Sequence, residues 1–148
     1  HGVDKLRSPR LLRCEYRGPK VTGSAADSRY QRGLDVYASQ FHLSREEVAS
    51  WFARAVGERF GEEAILAGGG AWTDDELSLR DRSLVVVAAL ITHGGAEAQL
   101  RVHTRWAAEH GCTAVQLEVL AALLAVYVGY PRAGNGMMIV REELAKLQ

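Results

Sequence analysis

The fold is decided by residues 113–130, which read TAVQLEVLAALLAVYVGY. Thr113 and Gln116 cap the start of a helix, because a hydroxyl three residues before an amide side chain can pair the N–H groups that a first turn leaves free. Behind this cap the segment carries one charged side chain, Glu118, and it ends before Pro131. A segment that is apolar on nearly all sides predicts a helix that one small protomer covers only in part.

Similar caps divide the rest of the chain into helices. Residues 84–91 fit a buried strand or a buried helix by periodicity alone, and the cap at 78–81 favours a helix. The predicted helices are 24–39, one that begins at the Ser44–Glu47 capping box, one behind the cap at 78–81, 97–110, 113–130 and a last one from Pro131. These features predict an all-α fold of about six helices in one domain, residues 24–148.

Two glycine-containing segments interrupt this pattern. Residues 68–70 are three glycines, and we predict a turn there, because the Lys and Ser/Thr of a phosphate-binding loop do not follow. Asn135-Gly136 is typical of a hairpin and conflicts with the last helix. Pro131 favours that helix, since its missing N–H suits a first turn.

Composition excludes several classes of protein. The chain has 148 residues, 18 basic and 18 acidic side chains and a formal charge of zero, which disfavours a nucleic-acid binder. Its two cysteines, Cys14 and Cys112, form no CxxC pair, and no Cys/His spacing predicts a metal site. There is neither a membrane-spanning apolar run nor a signal peptide, so we expect a cytoplasmic protein that binds no membrane. His1-Gly2 is expected to be a cloning remnant.

Residues 1–23 are predicted to form a basic arm. Six Lys and Arg side chains face two acidic ones there, so the arm carries about +4 and the remainder of the chain about −4. We interpret the arm as solvated or wrapped around a partner subunit. The alternative is a tail for nucleic acid or a membrane surface.

His103 and Glu118 are the strongest candidates for proton chemistry. His103 shares a helix face with Leu100 and Ala107, where an imidazole can exchange a proton near neutral pH. Glu118 faces small uncharged residues, so we expect it to be partly buried, with a raised pKa unless a cation is placed beside it. The alternatives are a hydrogen-bonded core histidine and, for Glu118, a buried ion pair with an arginine, within one chain or between subunits.

Arg82 and Arg80 precede the apolar run 84–91, where a guanidinium can bind a carboxylate ligand through two parallel hydrogen bonds. The alternative for Arg82 is a salt bridge to Asp81, Glu118 or another acidic neighbour. His110 lies roughly 10 Å along the helix from His103. We interpret His110 as structural.

Several stretches together resemble the carboxymuconolactone decarboxylase family. They are RYQRGLDV (29–36), LSLRDRSLVVVAAL (77–90), AQLRVHTRWAAEHGCT (98–113) and QLEVLAALLAVYVGYP (116–131), in the order and spacing of the family. The resemblance implies an alkylhydroperoxidase D-like helical bundle that assembles as a homo-oligomer, a trimer or hexamer. It also implies that 84–91 is a helix.

The resemblance carries over residue by residue. His103 falls on the histidine of the central helix, and Arg82, Glu118, Tyr127 and Pro131 match recurrent positions. Three positions depart from the pattern: Ala96 and Gln99 stand where the peroxidase branch has its Cys pair, and Ser83 stands where the family often has Glu.

The resemblance implies a decarboxylase that uses no metal and no cofactor. Its substrate would be 4-carboxymuconolactone or a similar small anionic lactone acid from the degradation of aromatic compounds. Arg82 or Arg80, with Tyr127, would bind the substrate. His103, oriented by Glu118, would stabilise the lactone oxyanion and deliver a proton to carbon. The alternatives are an alkylhydroperoxidase-like redox protein without the Cys pair, and a family member that has lost catalysis.

Overall fold

The computed structural model describes residues 25–148, and they form seven helices without a strand. The helices are α1 (Ala25–Phe41), α2 (Arg45–Val56), α3 (Glu58–Ala71), α4 (Leu79–His93), α5 (Glu97–Glu109), α6 (Ala114–Val128) and α7 (Tyr130–Ala145). The all-α prediction is confirmed, with seven helices in place of about six. The predicted basic arm, residues 1–23, lies outside the described residues. Among the helices of residues 25–148, none has the length and apolar character needed to cross a bilayer.

The caps predicted at Ser44, Ser78 and Thr113 are present at the helix starts. The Glu47 carboxylate accepts a hydrogen bond from the Ser44 N–H at 2.9 Å. The Ser78 hydroxyl accepts one from the Asp81 N–H at 3.0 Å, which starts α4 and confirms that 84–91 is helical. At the start of α6 the Thr113 hydroxyl accepts from the Gln116 N–H at 3.2 Å, and the Gln116 side chain accepts in return at 3.0 Å. Each cap pairs N–H groups that would otherwise lack a helical partner.

The prediction of a turn at residues 68–70 is wrong, because these glycines lie inside α3. α1 and α3 cross so closely that a Cβ on Gly69 would lie 1.9 Å from the Arg29 carbonyl oxygen, and one on Gly33 would lie 1.9 Å from the Ile65 carbonyl oxygen. The glycines therefore serve a close contact between two helix backbones. This contact outweighs their low helix propensity.

The conflict at Asn135-Gly136 is resolved in favour of a helix. α7 runs through both residues, with Pro131 in its first turn as predicted. A Cβ on Gly136 would lie 2.7 Å from a side-chain atom of Ile91, so the glycine lets α7 approach α4.

The described helices bury two separate clusters of apolar side chains. One cluster lies among α1, α2 and α3 and is centred on Val48, Phe52 and Ile65. The other lies among α4 to α7 and includes Val87 and Leu117. α5 and α6 each pack against α4 and α7.

Aromatic side chains connect the two clusters. The Trp106 indole of α5 donates a hydrogen bond to the Gln40 carbonyl oxygen at 2.8 Å, and its ring lies 5.3 Å from that of Phe41. Trp72, the residue that ends α3, packs against α5 from the same side. The candidate site lies at this junction.

Candidate functional site

His103 lies between two indole rings. Its imidazole stacks on Trp72 with ring centroids 6.0 Å apart and planes 18° apart, and the Trp106 ring meets it edge-on at 4.6 Å. Nδ1 of His103 is buried and has no hydrogen-bond partner. Burial lowers the pKa of His103 to about 4, because the imidazolium would lose its hydration. The ring is therefore neutral at pH 7 and can donate or accept a hydrogen bond.

A second imidazole contacts the same indole. The His110 ring lies 6.2 Å from that of Trp72, and its Nδ1 is 2.7 Å from the hydroxyl of Ser83, which is 1% exposed. Burial lowers the pKa of His110, and the charge of Glu109 opposes this effect. The sequence analysis interpreted His110 as structural and did not predict its contacts with Trp72 and Ser83. The seven-residue spacing from His103 was the available signal, since it places both rings on one face of α5.

Arg82 holds the end of α3 in place. Its guanidinium is 8% exposed and donates a hydrogen bond to the carbonyl oxygen of Trp72. The predicted alternative, a salt bridge to Asp81 or Glu118, does not form. Asp81 instead pairs with Arg80, whose Nη1 lies 3.2 Å from the carboxylate. Arg82 therefore fixes the backbone of the residue that covers both imidazoles, while Arg80 remains partly exposed.

Glu118 and Tyr127 lie on a different side of the chain. Both side chains are exposed on α6, which packs against α4 and α7, whereas His103 faces Trp72 at the end of α3. The expectation that Glu118 is partly buried is wrong for a single chain. The reason is that the small residues around it lie on a face of α6 that residues 25–148 leave exposed. Within these residues, Glu118 forms no hydrogen bond or ion pair with His103 or Arg82.

The surroundings of Cys112 do not favour thiol chemistry, and Cys14 lies outside the described residues. Cys112 is buried, and its Sγ lies 3.7 Å from the Arg80 carbonyl oxygen. Burial raises the pKa of its thiol, which disfavours the reactive thiolate. In residues 25–148 no group of three or more metal-binding side chains comes together.

Helices α3 to α7 follow one another along the chain, with His103 on α5. The model of the carboxymuconolactone decarboxylase family matches residues 62–142, so the chain belongs to this family. The chain is also 36% identical over 80 residues to the 4-carboxymuconolactone decarboxylase of Acinetobacter baylyi. That alignment covers 54% of this chain and 58% of the relative, so the chain spans less than two thirds of the relative's length. The predicted resemblance is confirmed.

Proposed function

We propose that the protein is a cofactor-free carboxy-lyase that acts on 4-carboxymuconolactone or a similar lactone acid. Membership of the family over residues 62–142 is the observation that carries this proposal. The chemistry around His103 supports it, because a neutral imidazole between two indoles provides hydrogen bonding in poorly hydrated surroundings.

The reaction needs a group that accepts one electron pair and a group that supplies one proton. When the bond to the leaving carboxylate breaks, the electron pair enters the conjugated lactone carbonyl, carbon dioxide departs, and a proton is later added to carbon. Neutral His103 suits the first step, since it can donate a hydrogen bond to the developing oxyanion. Poor hydration raises the energy of the leaving carboxylate.

Proton delivery by His103 is harder to achieve. A pKa of about 4 means that roughly one imidazole in a thousand is protonated at pH 7. A bound carboxylate beside the ring would raise that fraction, because a nearby negative charge favours the imidazolium. An anionic substrate would therefore raise the pKa of His103, but in the unliganded chain this imidazole is almost entirely neutral.

The two arginines take different roles in this proposal. Arg80 is the better ligand for the second carboxylate of the substrate, because its guanidinium is partly exposed. Arg82 already donates a hydrogen bond to the Trp72 carbonyl oxygen, and its role is to keep the Trp72 indole packed against the two imidazoles. The indole must move aside before a substrate can reach the ring faces.

We further propose that the exposed face of α6 is buried between copies of the chain in a homo-oligomer. Four apolar side chains on this face are each more than half exposed: Val115, Val119, Leu123 and Val126. A helix that is apolar on all sides is normally buried on all sides. Glu118 and Tyr127 are remote from His103 in one chain. In an oligomer, they could reach the His103 site of a neighbouring copy.

Size-exclusion chromatography with light scattering tests the assembly. The full chain is expected to elute as an oligomer, and Val119→Asp is expected to dissociate it, because the carboxylate would be buried at the interface. Val56→Asp is the matched control, since Val56 is exposed at the end of α2. A wild-type monomer of 16.2 kDa would contradict the proposed assembly.

A decarboxylation assay tests the activity. Purified full-length protein is given a panel of lactone acids, and carbon dioxide release is measured. His103→Ala and Glu118→Ala are each expected to lose most of the turnover while remaining folded oligomers, and the exposed His93→Ala serves as control. Absence of release from every substrate, or full activity of His103→Ala, would refute the proposal.

A further inference from the structure

Two imidazoles and one indole form a continuous surface along α5. His103 and His110 are seven residues apart, which places them on one face of the helix, roughly 10 Å apart along its axis. The Trp72 ring reaches both of them, at 6.0 Å and 6.2 Å between centroids. Any ligand that displaces Trp72 therefore uncovers two imidazoles rather than one.

Ser83 forms a hydrogen bond with one of these two imidazoles, that of His110. Ser83 projects from α4, is 1% exposed, and lies 2.7 Å from Nδ1 of His110. A hydroxyl can accept from an Nδ1–H or donate to a bare Nδ1. The contact therefore persists in both protonation states of the imidazole, and Nε2 is the nitrogen left to exchange a proton.

We propose that His110 is a second proton-exchanging group of the His103 site, and that Ser83 is the positioning residue that holds its Nδ1. This inference rests on the proposed decarboxylation. The two rings have different roles in it. His103 donates a hydrogen bond as a neutral imidazole, and His110 supplies the proton that is added to carbon.

The groups that face His110 favour this division. Trp72 covers the ring from the end of α3, Ser83 holds it from α4, and Glu109 lies beside it on α5. Burial lowers the pKa of His110, and the Glu109 carboxylate opposes this lowering because it favours the imidazolium. The same carboxylate lies 3.3 Å from Nε2 of His42. Among the described residues, His103 has no carboxylate that acts in this way.

The proton balance of the step is simple. The carbon that has lost carbon dioxide retains the electron pair and takes one proton from Nε2 of the His110 imidazolium. His110 becomes neutral, with Nδ1 still bound to Ser83, and it regains a proton from water. The substrate carboxylate and one proton are thus converted to product and carbon dioxide, and no oxidant or reductant is consumed.

The first experiment is an NMR titration of His110 in the full chain. Ser83→Ala is expected to lower the pKa of His110 by roughly 0.5–1, because a hydrogen bond to the charged ring is worth more than one to the neutral ring. Ser83→Thr, which retains a hydroxyl, is expected to restore it, and Ser50→Ala, on exposed α2, is expected to change nothing. Circular dichroism confirms that each variant is folded.

The second experiment is the pH dependence of kcat/KM for carbon dioxide release. Activity is expected to fall as pH rises through the pKa of the proton donor, and Ser83→Ala is expected to move this limb downward by the same amount as the NMR pKa. His110→Gln is expected to lower kcat at least tenfold with little change in KM. A limb that stays in place while the NMR pKa moves would show that His110 does not supply the proton.

The outcomes separate this inference from the proposed function. If the wild-type protein releases no carbon dioxide, the proposed function fails, and the titration alone decides whether Ser83 controls His110. An unchanged His110 pKa in Ser83→Ala overturns the inference whatever the activity. An active protein whose His110→Gln variant retains full kcat also overturns it, and leaves the decarboxylase proposal intact.

Discussion

Replacing Gly69 by alanine is expected to separate α1 from α3. The new Cβ would lie 1.9 Å from the Arg29 carbonyl oxygen and 2.7 Å from the Gly33 nitrogen, and both are backbone atoms of α1. An ordinary contact begins near 3.4 Å, so the two backbones must move apart by about 1.5 Å. Backbone atoms cannot rotate away as a side chain can. The whole crossing must therefore loosen.

The size of the effect follows from two opposing contributions. Alanine is a better helix former than glycine by about 1 kcal/mol in a helix interior. Overpacking typically costs about 1–3 kcal/mol, and a clash with backbone belongs at or beyond the upper end of that range. The net expectation for Gly69→Ala is a loss of about 2 kcal/mol in the free energy of unfolding.

Gly70→Ala provides a matched control one residue away in the same helix. Its Cβ would meet only the guanidinium end of Arg29, at 3.3 Å or more, which can move aside. We therefore expect Gly70→Ala to be neutral or to stabilise α3 by up to about 1 kcal/mol.

Urea unfolding at one fixed protein concentration measures both variants, because association would make the midpoint concentration-dependent. For a urea slope of about 2 kcal/mol/M, Gly69→Ala should lower the midpoint by about 1 M. Equal midpoints for Gly69→Ala and the wild type, or equal losses for both variants, would refute the close crossing of α1 and α3.

Three further predictions concern stability. The pKa of His103 is about 4 in the folded chain against 6.5 when unfolded, so the stability that the neutral imidazole contributes is fully present above pH 6.5 and is lost as the pH falls towards 4. The urea midpoints at pH 7.5 and pH 5 should therefore differ less in His103→Phe than in the wild type. Glu143 is 3% exposed among three cations and has a lowered pKa, so the stability that its carboxylate contributes is present above the unfolded carboxyl pKa of 4.5 and is lost on further acidification. Glu143→Gln should cost about 1–3 kcal/mol at pH 7, and the cost should decrease as the pH is lowered below 4.5. Trp106→Phe leaves the Gln40 carbonyl without its donor and should cost about 1–3 kcal/mol by urea unfolding, whereas Trp51→Phe, which removes no such bond, should cost less.

Local features of the fold were predictable from sequence. The caps at Ser44, Ser78 and Thr113 depend on residues three positions apart, so the signal and the structure lie in the same turn. For the same reason the starts of α2, α4 and α6 were placed correctly. The glycines of α3 predict a turn from their local sequence, although they lie within a helix. Their reason is a contact with α1 more than thirty residues away, which periodicity cannot reveal.

The candidate site was predictable only in part. His103 was found because it lies on an otherwise apolar face of α5. The indole that covers it comes from Trp72, which the sequence places beside a predicted turn, and the Ser83–His110 contact joins two helices. The burial of Glu118 was predicted wrongly for a different reason. Its apolar neighbours predict a buried surface, but sequence pattern does not distinguish a surface covered within the chain from one that is exposed, as on α6.

A single physical cause connects the fold to the proposed chemistry. The α3 crossing and the Arg82 contact hold Trp72 over α5, and the resulting burial lowers the pKa of His103. The same exclusion of water would destabilise a carboxylate that is about to leave as carbon dioxide, so the environment that weakens the imidazole as a base also favours loss of the charge. A neutral His103 then cannot be the resting source of the proton. In the proposed division of roles, His110 provides that source, because the Ser83 hydroxyl holds its Nδ1 and the Glu109 carboxylate opposes the lowering of its pKa by burial.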